Sequence, residues 1–191
     1  MAEADLGCRL LIQGVLQLHQ LTDQVRPRLA GVLPAVALSS ELAEIVDRGG
    51  EWLETESFAE AVPLLQRAFV KETTPLVFSN GDYIPLNFLH EGETLTGWID
   101  FEHACFEDPH IGFAKFLIWS LDTYGWGTGV QVGLVERYLY TQNLSRREFA
   151  PRLALRCLRH LQREVPVDGA ADAAQRTHIL GLLRGALNDL A

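Results

Sequence analysis

Lysine is scarce in this chain: Lys71 and Lys115 are its two lysines. Basic residues number 16 against 25 acidic ones, a net charge of -9, and they form no run or stripe. The electrostatic footprint of a nucleic-acid binder is therefore missing. The three cysteines, Cys8, Cys105 and Cys157, are far apart, odd in number and include no C-x-x-C pair. That pattern excludes a disulfide framework and a zinc site, and it reads as reduced thiols in a cytoplasmic protein. Cys105 reads as a small apolar filler. Long hydrophobic runs are also lacking. Leu10-Leu11-Ile12 is interrupted by Gln13, Gln17, His19 and Gln20, too short and too polar for a membrane span. No basic segment precedes it and no cleavage-like site follows, so no secretory signal is expected. What remains is 191 residues, 48% of them hydrophobic and 21% charged. That suits a single domain over residues 1–191 with a substantial core, without internal repeats or linkers. The acidic balance favours a cationic small-molecule substrate.

The chain is organised around Phe78-Ser79-Asn80-Gly81-Asp82-Tyr83-Ile84-Pro85-Leu86-Asn87 and the apolar run that ends at Ile99-Asp100-Phe101. Thr74–Phe78 reads as a short buried strand leading into a loop. Phe88-Leu89-His90 and Leu95–Ile99, with Glu91-Gly92-Glu93-Thr94 between them, read as a hairpin. Folding about Gly92 brings Asn87 to within a residue or two of facing Asp100, so two hard oxygen ligands would converge at the open end, where magnesium bridging phosphates would sit. Asp82 lies on the entering loop. One carboxylate to orient or deprotonate a hydroxyl, with an amide and a second carboxylate for the metal, is the set phosphoryl transfer requires, and Asp-x-x-x-x-Asn is the spacing of a kinase catalytic loop. Taken singly, each residue also reads as an ordinary turn or strand end.

These residues, together with Glu102 and Glu107-Asp108-Pro109, resemble the aminoglycoside phosphotransferase family. That family sits in the protein-kinase-like group that includes choline kinases. Its pattern is His-Gly-Asp, four residues, Asn, then Ile-Asp-Phe or Ile-Asp-Trp, then Asp-Pro. The resemblance implies that Asp82 is the catalytic base and that Asn87 and Asp100 are the magnesium ligands, with ATP or another nucleoside triphosphate as donor. Glu102 and His103, just beyond the metal ligand, are the substrate-binding candidates. Two positions depart: Asn80 stands where the family has His, and Gly112 where it has a second Asp that braces the catalytic loop.

Along the chain, residues 6–21 read as a helix with Leu10, Leu11, Val15, Leu18 and Leu21 inward. It looks like the Leu-x-x-Leu-His helix after the family's interlobe hinge, with His19 a surface or packing residue. Pro27 to Pro34 reads as a broken connection. A helix is expected over Ser40–Asp47, stopping at Gly49-Gly50. Ser57–Glu60 has capping-box form, with Pro63 either kinking that helix or starting another. Glu102 to His110 gathers His and carboxylates without a recognised metal spacing. Asp108-Pro109 caps an apolar helix over Ile111–Thr123, on which Lys115 snorkels to the surface. The glycine-rich Tyr124–Gly129 follows a helix and lacks a following Lys, so it reads as an interhelical loop. A helix over Val130–Leu144 comes next. A capping box at Ser145–Glu148 then opens a helix to Arg163 whose Arg152, Arg156, Arg159 and Arg163 read as a solvated row. A turn at Pro166, Asp168 and Gly169 precedes a last helix from about Ala170 to Leu190.

The predicted fold is α+β, mainly helical: a protein-kinase-like C-terminal lobe whose small β-hairpin carries the catalytic and metal residues. No segment reads as the N-terminal β lobe with its flap and Lys–Glu pair. Two readings of that absence stay open: a truncated kinase, or a natural single-lobe protein that borrows nucleotide contacts or does no catalysis. The function that follows is ATP/Mg-dependent phosphotransfer to a small-molecule hydroxyl, with the isolated chain slow or inactive. The alternative is a non-catalytic interaction module. It would expose an apolar face near residues 6–21 and the hairpin, where a partner chain or second copy docks.

Overall fold

The computed structural model describes residues 2–124, 130–164 and 173–191. Helix α1 (Ala2–Gln20) buries Leu10, Leu11, Val15 and Leu18, the stripe its 3.6-residue period lays on one face. Helix α2 (Thr22–Leu29) follows at once. The Thr22 hydroxyl donates to His19 O and accepts the Phe78 N–H, so the junction is tied to the next sheet. Arg26 of α2 lies over the Phe106 ring at 4.5 Å and donates to the Leu76 carbonyl.

Of the broken connection expected over Pro27 to Pro34, Pro27 lies inside α2 while residues 30–33 do form turns, and β1 (Ala35–Val36) follows. This strand pairs parallel with β5 (Cys105–Glu107), and β2 (Val77–Ser79) pairs antiparallel on the other side of β5, with Phe78 opposite Phe106 and Ser79 opposite Cys105. Strands of two and three residues are too short to show a period of two, and all three residues of β5 are buried. The second sheet is the expected hairpin, β3 (Phe88–Glu91) and β4 (Thr94–Trp98), turned at Gly92 with φ +56°. Phe88 faces Trp98 across it, and both join the cluster of α1, β2 and β5.

Helices α3 (Leu38–Asp47) and α4 (Glu56–Val70) pack with α7 (Arg146–Glu164) and α8 (Ala173–Leu190) around Leu42, Ile45, Phe58, Leu65, Leu155, Leu158 and Leu183. Helix α5 (Ile111–Tyr124) divides its buried face: Ile111 and Ile118 enter this cluster, while Phe113 and Phe116 enter the cluster of α1 and the hairpin. Tyr138 of α6 (Val130–Gln142) stacks on Phe113, ring centres 3.7 Å apart.

Three local expectations change. The box at Ser57–Glu60 does not form, because extended Thr55 (φ −74°, ψ 142°) precedes the helix and Ser57 is already inside it. Helix α4 also runs unbroken through Pro63, whose lost donor would have served the Ala59 carbonyl on the exposed face. The Ser145 box does form: Ser145 Oγ accepts the Glu148 N–H, and Glu148 Oε2 accepts the Ser145 N–H.

The third change is the arginine row: Arg163 is exposed as expected, but Arg152, Arg156 and Arg159 are turned inward. Arg152 is buried and grips Asp108 through Nε and Nη2, with Glu72 as a second partner. Arg156 reaches Glu41 at 2.8 Å, and Arg159 reaches Glu44 at 2.8 Å. Acidic partners from three other segments turn the row inward; periodicity on α7 alone does not reveal them. The glycine-rich segment at 125–129 and the turn at 166–169 lie outside the described residues.

Candidate active site

The loop after β2 is built by short side chains bonding to their own backbone. Asn80 Oδ1 accepts the Asp82 N–H at 3.2 Å and Asn80 Nδ2 donates to Asp82 O at 3.1 Å. Ser79 Oγ accepts the Gly81 N–H and donates to Glu107 Oε1. Gly81 has φ +79°, and a Cβ there would stand 2.1 Å from the His103 carbonyl oxygen, so the sharp turn and the close approach both require glycine. Glu107 is fully enclosed, and burial raises its carboxyl above the usual range.

Asp82 and Asn87 meet directly. Asn87 Nδ2 donates to Asp82 O at 3.0 Å and to Asp82 Oδ2 at 3.2 Å. With its nitrogen spent this way, the amide keeps Oδ1, the atom a hard cation takes. The Ile99 N–H donates to Asn87 O at 2.9 Å, which lays the end of β4 beside Asn87 and places Asp100 one residue further on. Asp100 is exposed and has φ +60°, a conformation rare outside glycine. Glu102 and His103 are also exposed and lie 3.5 Å apart, with His103 contributing its backbone against Gly81. Among the described residues, no three His, Cys, Asp or Glu side chains gather as a metal cluster.

Sequence reasoning missed the most prominent neighbour of Asp82. Lys115 does not snorkel away from the fold; its Nζ lies 2.9 Å from Asp82 Oδ1 and donates to Gly81 O at 2.7 Å. Nothing in the local pattern of α5 announces this, since the partner is more than 30 residues away.

The position taken by Gly112 is explained as well. A Cβ at Gly112 would stand 2.0 Å from the Tyr83 ring, so the ring fills the space beside α5. The Tyr83 hydroxyl hydrogen-bonds His19 Nε2 at 3.1 Å. His19 is thus a packing residue, and burial lowers it to about 4, so it is neutral near pH 7. Aromatic packing and a neutral imidazole hold the loop at the place where the resemblance leads one to expect a carboxylate. Cys105 is buried and its thiol is pushed up to about 12, the filler expected of it.

The profile of the phosphotransferase enzyme family matches residues 1–150. The chain belongs to the phosphotransferase enzyme family. Among curated proteins none matches. The fold is similar to that of a mutant aminoglycoside 2'-phosphotransferase-IIIa in its GDP complex, with a TM-score of 0.55 and 19% identity. That similarity takes in 98% of this chain and 63% of the other, so this phosphotransferase-family chain spans under two thirds of the other protein's length. The mostly helical architecture with small sheets accords with a kinase-like fold. No helix among the described residues is long and apolar enough to cross a membrane.

Proposed function

We propose that the chain forms the catalytic lobe of a phosphotransferase that moves the terminal phosphoryl group of ATP, or another nucleoside triphosphate, to a hydroxyl of a small molecule. The observation that carries this reading is the pair of hydrogen bonds from Asn87 Nδ2 to the carbonyl and carboxylate of Asp82. They fix the direction of one carboxylate and leave the amide oxygen of Asn87 unspent by them. Asp82 then orients the acceptor hydroxyl and takes its proton, and Lys115 holds the carboxylate from the opposite oxygen. Asn87 and Asp100 offer a donor set of hard oxygens that fits magnesium, which when bound neutralises charge on the phosphates. Exposed Glu102 and His103 are the candidates for contact with the acceptor in this reading. The GDP in the similar structure supports a nucleotide donor and leaves the choice of base open.

The test is magnesium–nucleotide binding by calorimetry. Asp100→Ala is expected to weaken it at least about tenfold, the effect of losing one charged ligand. Equal binding by both proteins removes the metal assignment.

One observation favours a second reading. Leu21, Leu86, Leu89, Ile99 and Phe101 are large, apolar and exposed, and most of them flank Asn87 and Asp100. An interaction module would dock its partner on these side chains. A strictly monomeric chain that binds no hydrophobic dye would rule that reading out.

A further inference from the structure

Overall charge favours a cationic acceptor, but a cavity that Lys115 joins to the Asp82 loop is lined by arginines. A cavity of about 430 Å³ lies between α5, α7 and the start of α8, lined by Lys115, Trp119, Arg156, Arg159, His160 and Arg163. The Lys115 side chain links it to the catalytic loop: Lys115 lines the cavity and its ammonium lies 2.9 Å from Asp82 Oδ1.

Among the described residues the three arginines pair with two carboxylates, and Arg156 also lies in the field of buried Glu107. Arg156 pairs with Glu41, Arg159 with Glu41 and Glu44, and Arg163 with Glu44 at the long distance of 3.8 Å. Both carboxylates belong to α3, and neither is in the cavity wall. Arg48 draws further on Glu44 at 3.1 Å. Among the described residues Arg156 Nε and Arg159 Nη1 are buried without a hydrogen-bond partner, and Arg159 as a whole is 6% exposed. A buried guanidinium with an unmet donor is costly to the fold unless an oxygen ligand completes it. Arg163 is the exposed end of the row, with more than half of its side chain in solvent. From Arg156 to Arg163 the row runs about 10 Å along α7, the reach of a small metabolite.

We propose that the phosphoryl acceptor is an anionic alcohol, a hydroxy compound bearing a carboxylate or a phosphate. Its anion lies against Arg156, Arg159 and Arg163, and its hydroxyl points along Lys115 to Asp82. This rests on the phosphotransfer reading of Asp82. In the reaction the bond between the donor's γ-phosphorus and the oxygen bridging to its β-phosphate breaks. A bond from the acceptor oxygen to that phosphorus forms, the hydroxyl proton passes to Asp82, and a nucleoside diphosphate leaves with the electron pair. Trp119 supplies an apolar wall for the carbon skeleton, and the guanidinium fork suits either kind of oxyanion.

The experiment is titration calorimetry of the whole chain with four probes: glycerate, glycerol 3-phosphate, neutral glycerol and cationic choline. Binding of glycerate or of glycerol 3-phosphate is expected, and whichever binds names the anion. Arg163→Glu, on an exposed side chain that the fold tolerates, is expected to weaken that binding at least tenfold. Failure of both acids to bind, equal binding by wild type and Arg163→Glu, or preference for choline would each overturn the proposal. The same proteins titrated with magnesium–nucleotide report on the phosphotransfer centre separately. Nucleotide binding that is sensitive to Asp100→Ala, without acid binding, discards the acceptor class and keeps the centre. Acid binding with nucleotide binding indifferent to Asp100→Ala discards the cavity's role as an acceptor site.

Discussion

Around Arg152 the charges are buried and matched; around Asp82 they are half-exposed and placed by neutral groups. The Arg152 guanidinium meets Asp108, which is 2% exposed, and Glu72, while Asp108 also accepts the His110 N–H at the mouth of α5. That arrangement joins α4, α5 and α7 and leaves little room for a ligand. The Asp82 loop is positioned by Asn80, Asn87, Tyr83 and Ser79, and its single ion pair, to Lys115, is open to solvent. The contrast teaches how one small lobe divides its polar chemistry. Buried ion pairs lock helices whose relative position must not change, whereas neutral hydrogen bonds aim a carboxylate and leave it accessible.

The comparison breaks most visibly at Arg152. Arg152→Leu strands the buried Asp108 carboxylate and is expected to cost about 3–5 kcal/mol, read from the urea midpoint. A loss below about 1 kcal/mol would mean that the two regions do not differ in the way described.

The pH dependence of stability probes the brace of the loop. Burial holds His19 at about 4 in the folded chain against 6.5 when exposed. A lowered base favours the folded state fully above pH 6.5, and its contribution is lost as pH falls from 6.5 through about 4. The loss amounts to at most about 3 kcal/mol. Glu107, raised by burial, works in the opposite sense at acid pH, so the imidazole is isolated by subtracting the same titration of His19→Gln. A difference that stays flat between pH 7 and 4 removes the assignment.

Gly112→Ala forces a methyl into the Tyr83 ring and is expected to cost about 1–3 kcal/mol, again by denaturation. A neutral result would show that Tyr83 can shift without loosening the loop. Lys115→Met is the smallest expected effect on stability, at most about 1 kcal/mol for a partly exposed pair. A larger loss would place Asp82 with Arg152 among the structural charges.

Much of this was legible from local pattern. The hairpin turned at Gly92, the cap at Asp108, the Ser145 box and the apolar α5 each declare themselves within a few residues, because turns, caps and helical stripes are short-range physics. The Asp82–Asn87 pair also follows from spacing, since five residues of tight loop leave the two side chains within reach of each other. The two short strands β1 and β5 did not show, because sheet pairing between residues about 70 apart leaves no mark on either segment alone. The direction of the arginine row was hidden for the same reason: its partners Glu41, Glu44, Glu72 and Asp108 come from other parts of the chain.

The sequence by itself determined most of the helices, the hairpin, the Asp-x-x-x-x-Asn spacing and the family, all carried by residues close together along the chain. Only the tertiary structure decided which groups face one another: Lys115 on Asp82, Tyr83 over Gly112 and His19 behind it, and a row of arginines along one cavity wall. The physical reason is distance in sequence. A side chain's charge is written in its letter, but its worth depends on the partner and the burial it meets, and both are set by packing between segments dozens of residues apart.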